Sequence, residues 1–232
     1  MGLIVPPQNT INELEWRRMV PPGVDFSVVR IPLHGDTSSA QGKRGLHDDL
    51  RKAIRELAPS QPGVIAYACT AGSMSLPLDG LTSVMQDMAG VPAVATAPSL
   101  ILACRALGLR KIAIATPYHD ALNEHEVRFF EACGIRVLNI RGLGIGANGP
   151  HEYMNLAKVP KDEVYRHARG TYVPEADGMV VSCTDFASLE AIPRLEQELG
   201  KPVLSSNTAT LWQGLRSAGV EARLSGFGRL LQ

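Results

Sequence analysis

No charge of either sign dominates this chain: its 232 residues carry 23 lysines and arginines against 23 aspartates and glutamates, in mixed order. There is no basic stripe to track a phosphate backbone and no charged tail, so no nucleic-acid partner is expected. Long apolar runs are missing as well. None approaches the roughly 20 residues that cross a bilayer, which excludes a membrane-spanning helix. The opening Met1-Gly2-Leu3-Ile4-Val5-Pro6-Pro7 enters a strand pattern at once and leaves no room for a signal peptide. Pro6 stands where a myristoylation signal needs serine or threonine. A soluble, cytoplasmic protein is expected. Cysteine is sparse: Cys69, Cys104, Cys133 and Cys183 fall at wide, irregular spacings without a CxxC pair. That pattern supports neither a zinc ribbon nor a thioredoxin-type motif, and free thiols are expected in a reducing compartment.

What is present is one object made twice. Gly63 to Ser73 and Gly178 to Ser188 are each a short apolar run that reads as a buried strand and stops at Cys-Thr, with a serine soon after. In an open parallel sheet, ligands bind outside the carboxyl ends of the strands, which places Cys69 and Cys183 where a crevice is expected. Cys104 and Cys133 lie inside helical patterns and read as small buried hydrophobes.

Strand and helix patterns alternate along the whole chain, the mark of a parallel α/β architecture. Strands are read at 3–5, 24–32, 63–68, 91–96, 111–116, 136–140, 178–182 and 201–205. Helices are read at 11–19, 46–57, 83–88, 99–107, 121–132, 161–169, 189–199 and 208–218. Asn9 or Thr10 can cap the first helix, or project into the crevice beside backbone N–H groups that would cradle a carboxylate. His34, in the polar loop His34 to Ser39, reads as a solvated residue before a catalytic base. The second half repeats the first: Pro7 and Pro117 are 110 residues apart, as are Pro92 and Pro202, and the two strand-end cysteines are 114 apart. Matched landmarks in one order indicate a duplicated half. The glycine-rich stretch Gly142 to Pro150 meets GxGxxG spacing only loosely and does not run from a strand straight into a helix, so it reads as a mobile loop over a small substrate rather than a dinucleotide fingerprint.

A thiolate at such a site can attack as a soft nucleophile or carry a proton to and from carbon. Either use asks for a lowered pKa, and helix amino termini facing the sulfur would supply it. Thr70 and Thr184, next to the cysteines, have hydroxyls and amides suited to a carboxylate or enediolate oxygen. Tyr118, at another strand exit, can donate one more hydrogen bond or pack a loop at the rim.

The chain resembles the Asp/Glu racemase superfamily, and within it the maleate cis-trans isomerases first and the arylmalonate decarboxylases next. The likeness rests on Val5-Pro6-Pro7-Gln8-Asn9-Thr10, Tyr67-Ala68-Cys69, Ala115-Thr116-Pro117-Tyr118, Asn148, Ser182-Cys183 and Gly200-Lys201-Pro202-Val203. It implies two similar Rossmann-like lobes with parallel sheets related by a pseudo-twofold axis, the active site in the cleft between them. The lobes are expected over residues 1–97 with 208–232, and over 98–207. It implies Cys69 and Cys183 as catalytic residues, with Asn9, Thr70, Tyr118, Asn148 and Thr184 holding a small carboxylate substrate. The implied reaction is thiolate addition to maleate and release of fumarate, without cofactor or metal, by a homo-oligomer (dimer or tetramer). A two-cysteine racemase of an amino acid or hydantoin and an arylmalonate-type decarboxylase are the alternatives. The decarboxylases have glycine where Cys69 stands, whereas Thr70-Ala71-Gly72-Ser73 is closer to them than to the isomerases.

Overall fold

The structure, a computed structural model, describes residues 1–34 and 39–232; the middle of the His34 to Ser39 loop lies outside the described residues. The first parallel sheet has the order β2-β1-β3-β4, with β1 at Gly2–Val5, β2 at Ser27–Arg30, β3 at Ile65–Tyr67 and β4 at Ala93–Ala95. The second repeats it as β6-β5-β7-β8, with β5 at Lys111–Ala115, β6 at Arg136–Arg141, β7 at Gly178–Val181 and β8 at Val203–Ser205. Every pairing between these strands is parallel. β1, β3 and β7 are buried along their whole length, which is why their sequences are continuous apolar runs rather than alternating ones.

The helices are α1 (Ile11–Met19), α2 (Ala40–Leu57), α3 (Thr70–Ser73), α4 (Gly80–Ala89), α5 (Thr96–Ala106), α6 (Asp120–Ala132), α7 (Lys161–Thr171), α8 (Ala191–Leu199) and α9 (Ser206–Ser217). Several start earlier than the apolar pattern suggests, because their first turns are polar. Ser39 caps α2 by accepting from the Gly42 amide, and Ser205 and Thr208 form a reciprocal capping box on α9. The 3-10 stretch Pro150–Lys158 has no 3.6-residue period to announce it.

Two helices cross over. α5 follows β4 of the first sheet, yet Leu100, Ile101 and Cys104 pack with Ile112, Ile114 and Phe130 of the second half. Reciprocally, α9 follows β8, yet Leu211 and Leu215 pack with Leu3, Val5, Trp16 and Ala66. The two helices lie against each other, and Thr210 donates to Thr96 at 3.0 Å across them. Cys104 is the buried hydrophobe its pattern suggests, its thiol pushed up to about 12 by desolvation. Among the described residues no helix is long and apolar enough to cross a membrane.

Candidate active site

The exits of β3 and β7 deliver Cys69 and Cys183 to one cavity of about 860 Å³, which Asn9, Thr70, Tyr118 and Thr184 also line. The Cys69 turn is tightly fixed. Cys69 Sγ accepts from the Gly72 amide at 3.3 Å, and the Ser73 hydroxyl donates to the Cys69 carbonyl at 2.6 Å while accepting from the Ala97 amide at 2.9 Å. The Tyr67 hydroxyl hydrogen-bonds the same sulfur. Gly72 leaves the room for this: a Cβ there would stand 2.4 Å from Tyr67 Oη and 3.1 Å from Cys69 Sγ.

Cys183 is held differently. Its φ of +115° lies in the region that side chains other than glycine rarely adopt, whereas Cys69 has an ordinary extended φ of −144°. The Ser206 hydroxyl accepts from the Cys183 amide at 3.0 Å, the Asp185 amide donates to Cys183 Sγ at 3.4 Å, and the Tyr118 hydroxyl hydrogen-bonds that sulfur. Each thiol thus has one tyrosine and one backbone N–H.

The lowered thiol pKa expected from helix amino termini is corrected by the structure. Burial pushes both thiols up, Cys183 strongly, and the single N–H and phenol at each sulfur offset only part of that. α3 is a single turn, and a turn rather than a helix follows Cys183, so little dipole faces either sulfur.

The polar side chains beside the thiols are already engaged across the cleft. Thr184 Oγ1 donates to the Ala68 carbonyl at 3.1 Å and accepts from Asn9 Nδ2 at 2.9 Å; Thr70 and Ser206 share a hydroxyl hydrogen bond of 2.9 Å. Asn9 Oδ1 accepts from the Asn12 amide and so caps α1, while its Nδ2 keeps a second N–H. The N-terminus of α1, expected as a cradle for a substrate carboxylate, is filled by the chain itself. Asp185 Oδ1 accepts from the Thr10 and Ile11 amides at 2.9 and 3.1 Å.

Asn148 is not among the residues lining the cavity; its carboxamide donates to Glu152 at 2.6 Å. The glycine-rich loop before it is pinned against the exit of β5, with the Gly144 and Ile145 amides donating to the Tyr118 and Pro117 carbonyls, both at 3.0 Å. A Cβ on Gly142 would stand 1.9 Å from the Tyr118 carbonyl oxygen, so this glycine serves close packing. The turn after the loop carries Tyr153 to the cavity. His34 also lines it, with Nε2 at 3.2 Å from an Asp49 oxygen.

Tyr67 and Asp185 do not emerge from sequence reasoning as site residues. For Tyr67 a signal exists, since it stands two residues before Cys69 on the same face of an extended chain. Asp185 has none, because its partners are 174 and 175 residues away.

The family model of arylmalonate decarboxylase matches residues 1–231. The maleate isomerase of Nocardia farcinica is 29% identical, over 100% of this chain and 95% of its own length. The arylmalonate decarboxylase of Bordetella bronchiseptica is 28% identical, over 99% and 95%. Among solved structures, a cysteine-to-serine mutant of the Nocardia farcinica maleate cis-trans isomerase with a covalently bound succinylcysteine intermediate superposes with a TM-score of 0.84 at 28% identity, covering 99% of this chain and 96% of that one.

Proposed function

The chain belongs to the arylmalonate decarboxylase family, and from its likeness to maleate isomerases we propose that it is a cofactor-independent maleate cis-trans isomerase, or acts on a close relative of maleate. The observation that carries this reading is the pair of thiols: Cys69 and Cys183 line one cavity from opposite sheets, each with its own tyrosine. A covalent succinylcysteine in the structural relative supports a sulfur nucleophile in this fold.

The steps balance with these groups alone. Cys69, its proton released to solvent, attacks as the thiolate and forms a C–S bond to one olefinic carbon, and the π pair moves to the other carbon and its carboxylate. Cys183 delivers a proton to that carbon, and the former double bond is now free to rotate. Cys183 then takes the proton back, the double bond re-forms in the trans geometry, and the C–S bond breaks to release the Cys69 thiolate. Gly72 N–H and the Tyr67 hydroxyl stabilise the attacking sulfur, while Tyr118 serves the acid. The backbone amides at Thr70 and Thr184 and the remaining Asn9 N–H are suited to the carboxylates.

One observation favours a second reading. The cavity is several times larger than a four-carbon diacid requires, and Ala71, Met74, Leu76, Leu122 and Phe129 give it apolar walls. A substrate with a bulky apolar substituent would fill it, and decarboxylation of an arylmalonate with Cys183 as the proton donor would need no nucleophile at Cys69.

Proton NMR of reduced protein with maleate, run beside phenylmalonate, separates the two. Isomerisation predicts a vinyl signal moving from maleate to fumarate, lost at least 1,000-fold in Cys69→Ser. Phenylacetate formation that survives Cys69→Ser would replace isomerase with decarboxylase. Full maleate turnover in Cys69→Ser would end the nucleophile assignment.

A further inference from the structure

The two half-sites differ one layer behind the thiols. In the first half, Trp16 of α1 is fully buried in the same apolar cluster as Ala68, the residue before Cys69. The position 110 residues after Trp16 is Glu126, on the buried face of α6, and the residue before Cys183 is Ser182. A tryptophan and an alanine in one half therefore correspond to a carboxyl and a hydroxyl in the other.

Glu126 and Ser182 are both fully buried. Neither Glu126 oxygen nor Ser182 Oγ completes a hydrogen bond, although the hydroxyl approaches closely enough to pull the carboxyl back toward its ionised form. Burial wins and pushes Glu126 up to about 7. Enclosing a carboxyl without a partner costs stability, so packing does not explain its place. Tyr118 connects it to the chemistry: this phenol hydrogen-bonds Cys183 and responds to the charge of Glu126. Other charged groups near α6 lie further out. Asp120, Glu124 and Glu131 are exposed, Arg128 is exposed at the cavity rim, His119 and half-buried His125 line the cavity, Arg136 and Arg141 sit at the exposed ends of β6, and Arg105 of α5 reaches the Cys133 carbonyl. His167 of α7 lies against the Thr116 and Arg141 carbonyls.

We propose that Glu126 is a positioning residue of the Cys183 half-site: enclosed without a partner one layer behind the thiol, it orders Ser182 and Tyr118 and so keeps Cys183 the proton carrier, leaving Cys69 the nucleophile. Two thiols buried alike would otherwise compete for both roles. When Glu126 ionises, its charge draws the Tyr118 hydroxyl away from Cys183 and the donor is lost. The carboxyl transfers no proton to substrate. Its effect runs through the tyrosine. The assignment rests on the two-thiol reading of the site, so one arm of its test is independent of turnover.

That arm is alkylation of the full-length protein with iodoacetamide, with Cys69 and Cys183 quantified separately by peptide mapping, in wild type, Glu126→Gln, Glu126→Leu and Ser182→Ala, each checked for a native circular dichroism spectrum. At pH 6, Glu126→Gln should keep the Cys183-to-Cys69 labelling ratio within about 2-fold of wild type, because the amide preserves a neutral hydrogen-bonding group. Glu126→Leu should lower that ratio at least 5-fold, because Cys183 loses the phenol that favours its thiolate, and Ser182→Ala should lower it in the same direction. Turnover supplies the second arm. Wild-type kcat should fall above pH about 7, Glu126→Gln should lack that limb, and Glu126→Leu should lose at least 10-fold in kcat with KM within about 3-fold. A labelling ratio unchanged in Glu126→Leu, or equal effects of Gln and Leu in both arms, overturns the proposal. Should the wild type turn over neither maleate nor phenylmalonate, the functional reading fails while the labelling ratio still decides the role of Glu126.

Discussion

Cys183 shows how much one residue asks of its surroundings. A φ of +115° at a residue with a Cβ stores backbone strain of about 1–3 kcal/mol, and it persists here because Ser206 holds the amide and Tyr118 and Asp185 hold the sulfur. The strain turns the sulfur into the cavity from a strand exit that no helix follows. Removing the side chain should therefore relieve it. Cys183→Gly is expected to be more stable than Cys183→Ala by about 1 kcal/mol in urea denaturation, the reverse of the usual order, in which glycine loses more entropy on folding. An alanine variant as stable as the glycine variant would mean that this backbone is relaxed. Both variants should lack the proposed isomerase activity, so stability and chemistry separate cleanly at this position.

At the scale of elements, the strands and most helices were legible because each buries an apolar pattern of the right period. Leu46, Leu50, Ile54 and Leu57 on α2 are all buried, and β1, β3 and β7 are continuous apolar runs. The polar starts of α5 and α9 were not, since a buried Thr96 or Asn207 reads as a loop residue until its partner across the cleft is known. The site divides the same way. Strand ends exposed Cys69 and Cys183 to inspection, and the offset of matched prolines pointed to a duplicated half. The engagement of Thr70 by Ser206, or of Thr184 by Asn9, links residues 136 and 175 positions apart, beyond any local pattern. α1 carries the clearest consequence. Its first amides are satisfied from the opposite half by Asp185, so Asp185→Ala leaves the Thr10 and Ile11 amides without their acceptor. The expected loss is about 1–3 kcal/mol of global stability, with faster hydrogen exchange at those two amides than at the rest of α1. Unchanged exchange there would show that another acceptor replaces the carboxylate.

For the whole molecule, the cleft is also the seam, and its carboxyls make stability depend on pH. Glu15 accepts from the Ser188 and Leu189 amides and from Asn207, tying α1 to the segment after β7 and to α9. Burial nevertheless raises Glu15 and Glu126 to about 7 and Asp185 to about 6. An acid raised in the folded state stays protonated there after the unfolded chain has lost its proton. Its contribution to stability is full below about pH 4 and is lost as pH rises through the folded value. Carboxylates lowered by exposed partners, such as Glu13, Asp49 and Glu198, work in the opposite sense, but in a window below their ordinary values. His47 and His167, lowered by burial, lose stability as pH falls through the ordinary histidine range, which overlaps the acid window. A difference measurement removes these shared terms. Relative to wild type, Glu126→Gln should gain stability as pH rises from about 4.5 to 7.5, by up to about 3 kcal/mol, the worth of carrying the carboxyl from its ordinary value to about 7. Urea midpoints at several pH values check it, with unchanged m-values as the control for an unaltered unfolding transition. A variant whose midpoint runs parallel to wild type across that range would mean that Glu126 already ionises in the folded protein at its ordinary pKa, and that the neutral acid behind Cys183 does not exist.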